Sequence, residues 1–257
     1  LGSGTGSLAL VVLAIVLFSA GNSGTGMISV VSYPELLGMR SYSQLMPVVL
    51  GCSFIASGVS PALMSYLMEC RGKDAVLVVP GIVPESIAFI TENVPEGRIL
   101  EYGLDPEGAC RRIRESDLLF CLDCNSYSRT TPEMEGLLRA SSAKKVLIDH
   151  HLNPETESYS LVFSETEISS TCELLYTILK RMPDIGGKVE NLPVTSLNAL
   201  MAGMTTDTNN FANSVWPGTL EMASELLAAG VDRDAILCNL YNSYRENRLR
   251  LMAHLVG

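Results

Sequence analysis

Short apolar runs alternate with amphipathic segments along most of this chain, and this alternation limits the folds open to it. Runs with the length of buried strands are each followed by a segment with helical spacing. This order is typical of parallel sheets, because parallel neighbours need a crossover connection. We predict an α/β fold with a doubly wound, mainly parallel sheet flanked by helices. The predicted strands are 48–56, 75–80, 98–102, 117–123 and 145–149, and the helices between them are 61–71, 84–93, 105–115 and 132–140.

The last third of the chain has helical periodicity instead, so we expect a mostly helical C-terminal third. Its predicted helices are 169–182, 192–205, 218–229 and 233–251. Helix starts are also readable from the sequence. Asp105 followed by Pro106 predicts an N-cap and a first helical position, because the aspartate can accept an amide hydrogen bond and proline has none to lose.

The first 44 residues follow neither pattern. The apolar run 8–18 is shorter than the roughly 20 residues that a transmembrane helix needs, and no basic residue precedes it as in a signal peptide. We expect this run to be a buried strand or helix. The chain begins at Leu1, and Met27 is an alternative start. Residues 1–44 are therefore an atypical segment, and we expect one domain over residues 45–257.

Charge and cysteine content limit the ligands that the chain can bind and the compartment in which it works. The formal net charge is −10, which disfavours non-specific nucleic-acid binding because that affinity comes mainly from basic side chains. The seven cysteines are odd in number, as expected for reduced thiols in a cytoplasmic protein. Cys121 and Cys124 form a C-x-x-C pair, but a structural zinc site needs a second such pair and the sequence has none. We expect no membrane association.

Acidic residues and histidines follow two of the predicted strands. Asp123 ends 117–123, and Asp149 ends 145–149 with His150 and His151 directly after it. Because ligands bind where parallel strands end, these side chains are candidates for a site that holds Mn²⁺ or a similar ion, as is Asp207 further along. The alternatives are a turn or cap role for either aspartate. Adjacent histidines point in different directions, so one can bind metal while the other faces a substrate.

These segments resemble the motifs of the DHH phosphoesterase family. The stretch VLIDHHLNP resembles the family's signature, LLFCLDCNSYSR its second motif and MAGMTTDTNNF its fourth. The family includes RecJ-type exonucleases, manganese pyrophosphatases and enzymes that degrade short oligonucleotides and 3′-phosphoadenosine 5′-phosphate. The order and spacing of the motifs, with the STCELLY segment between the last two, resemble the oligoribonuclease branch. The resemblance implies a cytoplasmic bacterial hydrolase that uses two Mn²⁺ ions.

The resemblance also implies roles for single residues. Asp123, His150 and Asp207 would bind metal. His151 would approach the substrate phosphate as a catalytic residue, and Asp149 would orient a histidine. The expected substrate-binding residues are Arg129 and Asn125, with an exposed surface position as the alternative for Arg129.

Two departures from the family pattern predict impaired activity. The first motif, roughly H-x-x-P-D-x-D, is absent, and Gly58 stands where its histidine is expected. The chain also ends where the family's smaller C-terminal substrate-binding domain is expected to begin. The alternatives are a catalytically degenerate homologue that binds nucleotide or metal, and a pyrophosphatase or exopolyphosphatase. Apolar helix surface in the C-terminal third could serve a homodimer or the domain's own core.

Overall fold

Two parallel sheets flanked by helices form the framework of the protein. The computed structural model describes residues 58–81, 83 and 85–242, all within one compact unit that spans Leu50–Gly257. Strands β1 (Leu77–Val79) and β2 (Ile99–Glu101) make a two-stranded parallel sheet. Strands β3 (Leu118–Leu122), β4 (Lys144–Asp149) and β5 (Leu161–Ser164) make a three-stranded parallel sheet in that order. The predicted parallel α/β class is therefore confirmed, whereas the predicted strand 48–56 lies outside the described residues.

The described helices match most of the predicted ones. They are α1 (Val59–Glu69), α2 (Pro106–Glu115), α3 (Pro132–Ala140), α4 (Thr171–Lys180), α5 (Val194–Asp207), α6 (Pro217–Ala228) and α7 (Arg233–Leu237). Short 3-10 turns cover Glu85–Ile90, Tyr127–Arg129, Thr156–Ser158 and Val189–Asn191. After β5, the described chain is helical, as expected for its C-terminal part. The predicted helix 233–251 begins as α7, which ends at Leu237 and is followed by a π-helical turn, Cys238–Asn242. Residues 243–251 of that prediction lie outside the described residues.

Side-chain caps explain where several helices begin. The Asp105 carboxylate accepts a hydrogen bond from the Gly108 amide, which confirms the predicted N-cap of α2. Thr131 caps α3 in the same way, ahead of Pro132. The Ser170 hydroxyl caps α4 by accepting from the Glu173 amide at 3.1 Å. These caps satisfy amides that have no partner inside the helix and fix the first turn of each.

Strand β5 was missed by sequence analysis. Its four residues have half-buried or exposed side chains, and their apolar run is too short to predict a strand. It pairs in register with β4, with Ile148 opposite Phe163 and Asp149 opposite Ser164. This pairing makes β4 the central strand, which explains why its side chains from Val146 to Asp149 are all buried.

The main core lies between β4 and the C-terminal helices. Helix α5 is buried on most sides, and Leu200, Met201 and Met204 are completely inaccessible. A helix that is apolar around most of its circumference is typical of the centre of a domain. Because Asp207 is the last residue of α5, the packing of this helix determines where that carboxylate lies.

Helix α1 approaches α5 unusually closely at Gly58. This residue caps α1 with a φ of 60°, and a Cβ added there would overlap the Ala199 carbonyl oxygen and lie 2.9 Å from the Gly203 amide nitrogen. The Ser196 hydroxyl strengthens the same contact by donating to the Ala62 carbonyl at 2.8 Å. A residue with a side chain at position 58 would therefore not fit without displacing α5.

Among the described cysteines, Cys70, Cys110, Cys121 and Cys124 are free thiols. Within the described residues, no helix has the length and apolar character required to cross a membrane.

Candidate metal centre

The candidate site lies where β3 and β4 end side by side. Leu122 pairs with Ile148 in the parallel register, so Asp123 and Asp149 leave the sheet at the same edge. The Asp123 amide donates to the Ile148 carbonyl at 3.0 Å, which fixes the turn after β3 against β4. This is the edge at which open parallel sheets bind ligands.

Asp123 has a strained backbone at this edge. Its φ is 55°, in the left-handed region that residues other than glycine seldom adopt. Its side chain is only 10% exposed, and its Oδ1 accepts a hydrogen bond from the Thr171 hydroxyl at 2.6 Å. Strain of this kind persists where surrounding contacts enforce it, and it clusters at functional sites.

Both histidines of the DHH sequence lie beside Asp123. The distance from Asp123 Oδ1 is 3.6 Å to His150 Nε2 and 3.8 Å to His151 Nδ1. One ligand atom from each of the three residues lies within 4.8 Å of the others, a spacing that could hold a metal ion. The imidazole rings meet edge to face, with centroids 4.6 Å apart and planes inclined by 63°.

The surroundings push the two histidines toward different charge states. Burial lowers the pKa of His150, although the Asp123 charge opposes it. The hydrogen bond to Asp149 raises the pKa of His151 despite partial burial. A neutral imidazole is the form that binds metal, whereas an imidazolium suits contact with an anion.

Asp149 holds His151 in place. The carboxylate is fully buried, and its Oδ1 lies 2.7 Å from His151 Nδ1. Its Oδ2 is also buried and has no hydrogen-bond partner among the described residues. With Nδ1 engaged by Asp149, the other nitrogen of His151, Nε2, remains for a ligand or substrate. The orienting role that the family resemblance implies for Asp149 stays a prediction.

Asp207 reaches the same region from the end of α5. Its Oδ2 is buried without a hydrogen-bond partner in the described part of the chain. Burial, with a further contribution from the negative charge of Asp123, raises the pKa of Asp207 well above its usual range. Two buried carboxylates that repel each other are stabilised by a bound cation. The unpaired oxygen, the nearby Asp123 and the mixed oxygen and nitrogen donors therefore fit a divalent metal ion.

The two expected substrate-binding residues are placed differently. Asn125 is half-buried, and its amide nitrogen donates to the Leu152 carbonyl at 2.8 Å, so this group joins the two loops of the site. Arg129 is exposed, and its positive charge is close enough to oppose the rise in the pKa of His151. The geometry therefore favours Arg129 over the Asn125 amide nitrogen as a phosphate contact.

A cluster at the surface holds these two loops together and was not predicted from the sequence. The Glu155 carboxylate accepts from the Ser126 hydroxyl at 3.0 Å and from Arg139 at 2.5 Å, and its amide donates to the Asn125 carbonyl at 2.8 Å. These bonds lower the pKa of Glu155 to about 2, chiefly through Arg139. The signal available was the family-like N-P-E sequence after the histidines, which has no metal-binding meaning by itself.

The C-x-x-C pair shows no sign of a metal or redox role. Burial raises the pKa of Cys121 to about 12 and that of Cys124 to about 11. Both groups are therefore protonated thiols at neutral pH, whereas metal ligands and redox nucleophiles are thiolates. Cys121 is half-buried and Cys124 is buried.

Comparison with protein families gives one clear result. Residues 26–204 match the profile described as "DHH family, N-terminal domain". The matched region contains Asp123, Asp149 and both adjacent histidines, and it ends three residues before Asp207.

Curated relatives carry the name cyclic-di-AMP phosphodiesterase. The chain is 28% identical to PdeA of Listeria monocytogenes over 65% of its own length and 25% of that protein. It is 31% identical to GdpP of Geobacillus thermodenitrificans over 65% of its length and 25% of that protein. For GdpP of Bacillus subtilis, identity is 30% over 73% of this chain and 28% of the relative. The chain thus spans about a quarter of each relative.

A solved structure shares the fold. It is the crystal structure of an exopolyphosphatase-related protein from Bacteroides fragilis, with a TM-score of 0.70 and 33% identity. The match covers 79% of this chain and 57% of that one. The resemblance and the α/β fold predicted from the sequence are confirmed, and the phosphodiesterase names of the relatives agree with the expected hydrolysis of phosphoester bonds. These names do not refer to oligoribonucleotides or 3′-phosphoadenosine 5′-phosphate.

Proposed function

The chain belongs to the DHH family, and from that premise we propose that it is a metal-dependent phosphodiesterase acting on small adenine nucleotides. The observation that carries this proposal is the convergence of Asp123, His150 and His151 within 4.8 Å at the edge where two parallel strands end. Asp207 adds a buried, unpaired carboxylate oxygen to that region. Carboxylates and imidazoles together are the donors that Mn²⁺ accepts.

We assign the metal-binding role to Asp123, His150 and Asp207. A divalent ion held there would act as a Lewis acid toward a phosphate oxygen and a water molecule. The donor set supports Mn²⁺ without excluding other divalent ions. The family resemblance implies two ions, and among the described residues these three side chains supply ligands for one.

His151 is the residue we assign to the substrate phosphate. Asp149 engages its Nδ1, which fixes the ring orientation and leaves Nε2 for a phosphate oxygen. The raised pKa of His151 favours its protonated form, which can donate to a phosphate oxygen and pass a proton to the leaving oxygen. Arg129 is exposed near this site and is our candidate for a further phosphate contact.

The relatives favour a dinucleotide as substrate. Their names refer to cyclic di-AMP, which supports an adenine dinucleotide, cyclic or linear, ahead of other phosphoesters. Short oligoribonucleotides and 3′-phosphoadenosine 5′-phosphate remain the narrower prediction from the motifs. An exopolyphosphatase activity is a second candidate, because the structural neighbour is described as exopolyphosphatase-related.

The proposed function extends to the bounds of the catalytic domain and to the cellular compartment. We propose that residues 45–257 belong to the catalytic domain, and the family match begins earlier, at residue 26. A bacterial cytoplasm would provide both reduced thiols and nucleotide substrates. A homodimer remains a proposal that size measurement in solution would test.

Four substrates distinguish these activities. The whole chain is incubated with Mn²⁺ and cyclic di-AMP, linear di-adenylate, 3′-phosphoadenosine 5′-phosphate or polyphosphate, and products are separated by chromatography. We expect slow, Mn²⁺-dependent cleavage of a dinucleotide that is lost in His151→Ala. Lys144→Ala is the control, because Lys144 is exposed at the opposite end of β4.

Each other result has a defined meaning. Phosphate release from polyphosphate alone would favour the second candidate. The absence of turnover on every substrate would refute the proposed enzyme and favour a degenerate homologue. Turnover as fast as that of a full-length relative would refute the expected impairment.

A further inference from the structure

We propose that Thr171 is a positioning residue that fixes the Asp123 carboxylate for metal binding. The family motifs identified in the sequence do not include a role for this threonine. The inference rests on the proposed function, since it concerns the metal site assigned to Asp123.

The contact between the two side chains is short and shielded from water. The Thr171 hydroxyl donates to Asp123 Oδ1 at 2.6 Å, and Thr171 is completely inaccessible. A hydroxyl has one hydrogen to donate, so this bond defines its orientation. A hydrogen bond to a carboxylate is stronger than a neutral one, and burial removes the competition from water.

The donor is held in place by the start of helix α4. Ser170 caps that helix, and the buried Glu173 carboxylate accepts from the Ser169 amide at 3.2 Å and from the Thr219 hydroxyl at 2.7 Å. Thr219 lies in the first turn of α6, so two helices hold this segment. The absence of a side chain at Gly218 allows the approach, because a Cβ there would lie 2.7 Å from Glu173 Oε1. The position of the Thr171 hydroxyl is thus fixed from outside the metal site.

The Asp123 carboxylate, which accepts this hydrogen bond, needs a contact that fixes its orientation. Asp123 has a left-handed backbone. Its negative charge also reaches the buried Asp207 carboxylate, so the two groups repel each other. The same Oδ1 that accepts from Thr171 faces both histidines. Without the hydroxyl, the carboxylate could rotate away from the histidines and from Asp207. Thr171 therefore selects the rotamer in which all three elements of the site converge.

Three substitutions of Thr171 separate the effect of its hydroxyl group from the effect of its side-chain volume. Thr171→Ser keeps the hydroxyl, Thr171→Val keeps the shape, and Thr171→Ala keeps neither. Mn²⁺ binding to the whole chain is measured by isothermal titration calorimetry, and thermal unfolding of the metal-free chain is measured by circular dichroism. We expect Val and Ala to weaken Mn²⁺ binding by roughly 10–100-fold, the range found for groups that orient metal ligands, and Ser to bind close to the wild type.

The results distinguish this inference from the proposed function. If the wild type binds no Mn²⁺, the proposed metal site is wrong and the inference fails with it. If the wild type binds Mn²⁺ and Val binds equally well, only the role of Thr171 is overturned. Equal weakening by Ser and Val would also overturn it, because the methyl packing would then be responsible. If the Thr171→Val variant does not fold, Thr171→Ala is compared with Thr171→Ser instead. Weaker Mn²⁺ binding by Thr171→Ala than by Thr171→Ser supports the role of the hydroxyl, and equal binding overturns it.

Discussion

Replacing Gly58 by alanine tests the close approach of α1 and α5. The added Cβ would lie 2.9 Å from the Gly203 amide nitrogen and closer still to the Ala199 carbonyl oxygen. The added Cβ would lie only 2.0 Å from the Ala199 carbonyl oxygen. Ordinary carbon contacts begin near 3.5 Å, so the two backbones must separate by about 1.5 Å to restore one. Both neighbouring atoms are backbone atoms, and neither can move without its helix.

The expected loss of stability has two parts. A left-handed φ costs an alanine about 1–2 kcal/mol relative to glycine. Overpacking between the helices adds about 1–3 kcal/mol. We therefore expect Gly58→Ala to lower the free energy of unfolding by roughly 2–5 kcal/mol.

Gly72→Ala is a matched control for this substitution. Gly72 follows the same helix with a φ of 57°, but no atom lies within 4 Å of a Cβ added there. Its expected cost is the backbone part alone, about 1–2 kcal/mol. Urea unfolding followed by circular dichroism compares the two variants at the same m-value. Equal destabilisation of both would refute the close packing of α1 against α5.

Three further substitutions probe the core, the loops and the buried charge. Leu200→Ala should cost about 2–5 kcal/mol in urea unfolding, whereas the exposed Val194→Ala should change little; equal effects would contradict the burial of α5. The pKa of Glu155 is lowered to about 2, so its stabilisation is present above its ordinary pKa and is lost as the pH falls toward 2. Glu155→Gln should remove that part of the acid dependence of thermal unfolding, and an unchanged pH profile would contradict the contact with Arg139. The raised pKa of Asp207 means that the metal-free chain loses stability as the pH rises above about 4, so Asp207→Asn should be more stable than the wild type at neutral pH. A less stable Asn variant in a chelator-treated melting experiment would contradict the unpaired burial of this carboxylate.

The sequence predicted those parts of the site that depend on strand order. Asp123 and Asp149 each follow an apolar run, and ends of parallel strands meet at one edge, so their proximity follows from the fold class. The positions of His150 and His151 were then predictable, because both residues come directly after Asp149 in the sequence. Strand order does not predict where Asp207 lies, because its position depends on how α5 packs. Only the resemblance of its segment to a family motif indicated that Asp207 belongs to the site.

Contacts between distant segments were not predictable from local pattern. Thr171 and Asp123 are separated by 48 residues, and neither residue type indicates the other. The bond between Asn125 and Leu152 likewise joins two loops, and the substrate-binding role of Asn125 stays a prediction. Strand β5 was missed because four half-buried residues show too little periodicity.

The measurement that tests the central claim most directly is the electron spin-echo envelope modulation of Mn²⁺ bound to the whole chain. This method detects nitrogen nuclei that coordinate the ion. We predict histidine ¹⁴N modulation in the wild type and in the control Lys144→Ala, and its loss or strong reduction in His150→Ala. Bound Mn²⁺ without nitrogen modulation in the wild type, or modulation unchanged in His150→Ala, would contradict the assignment of His150 as a ligand of the metal centre.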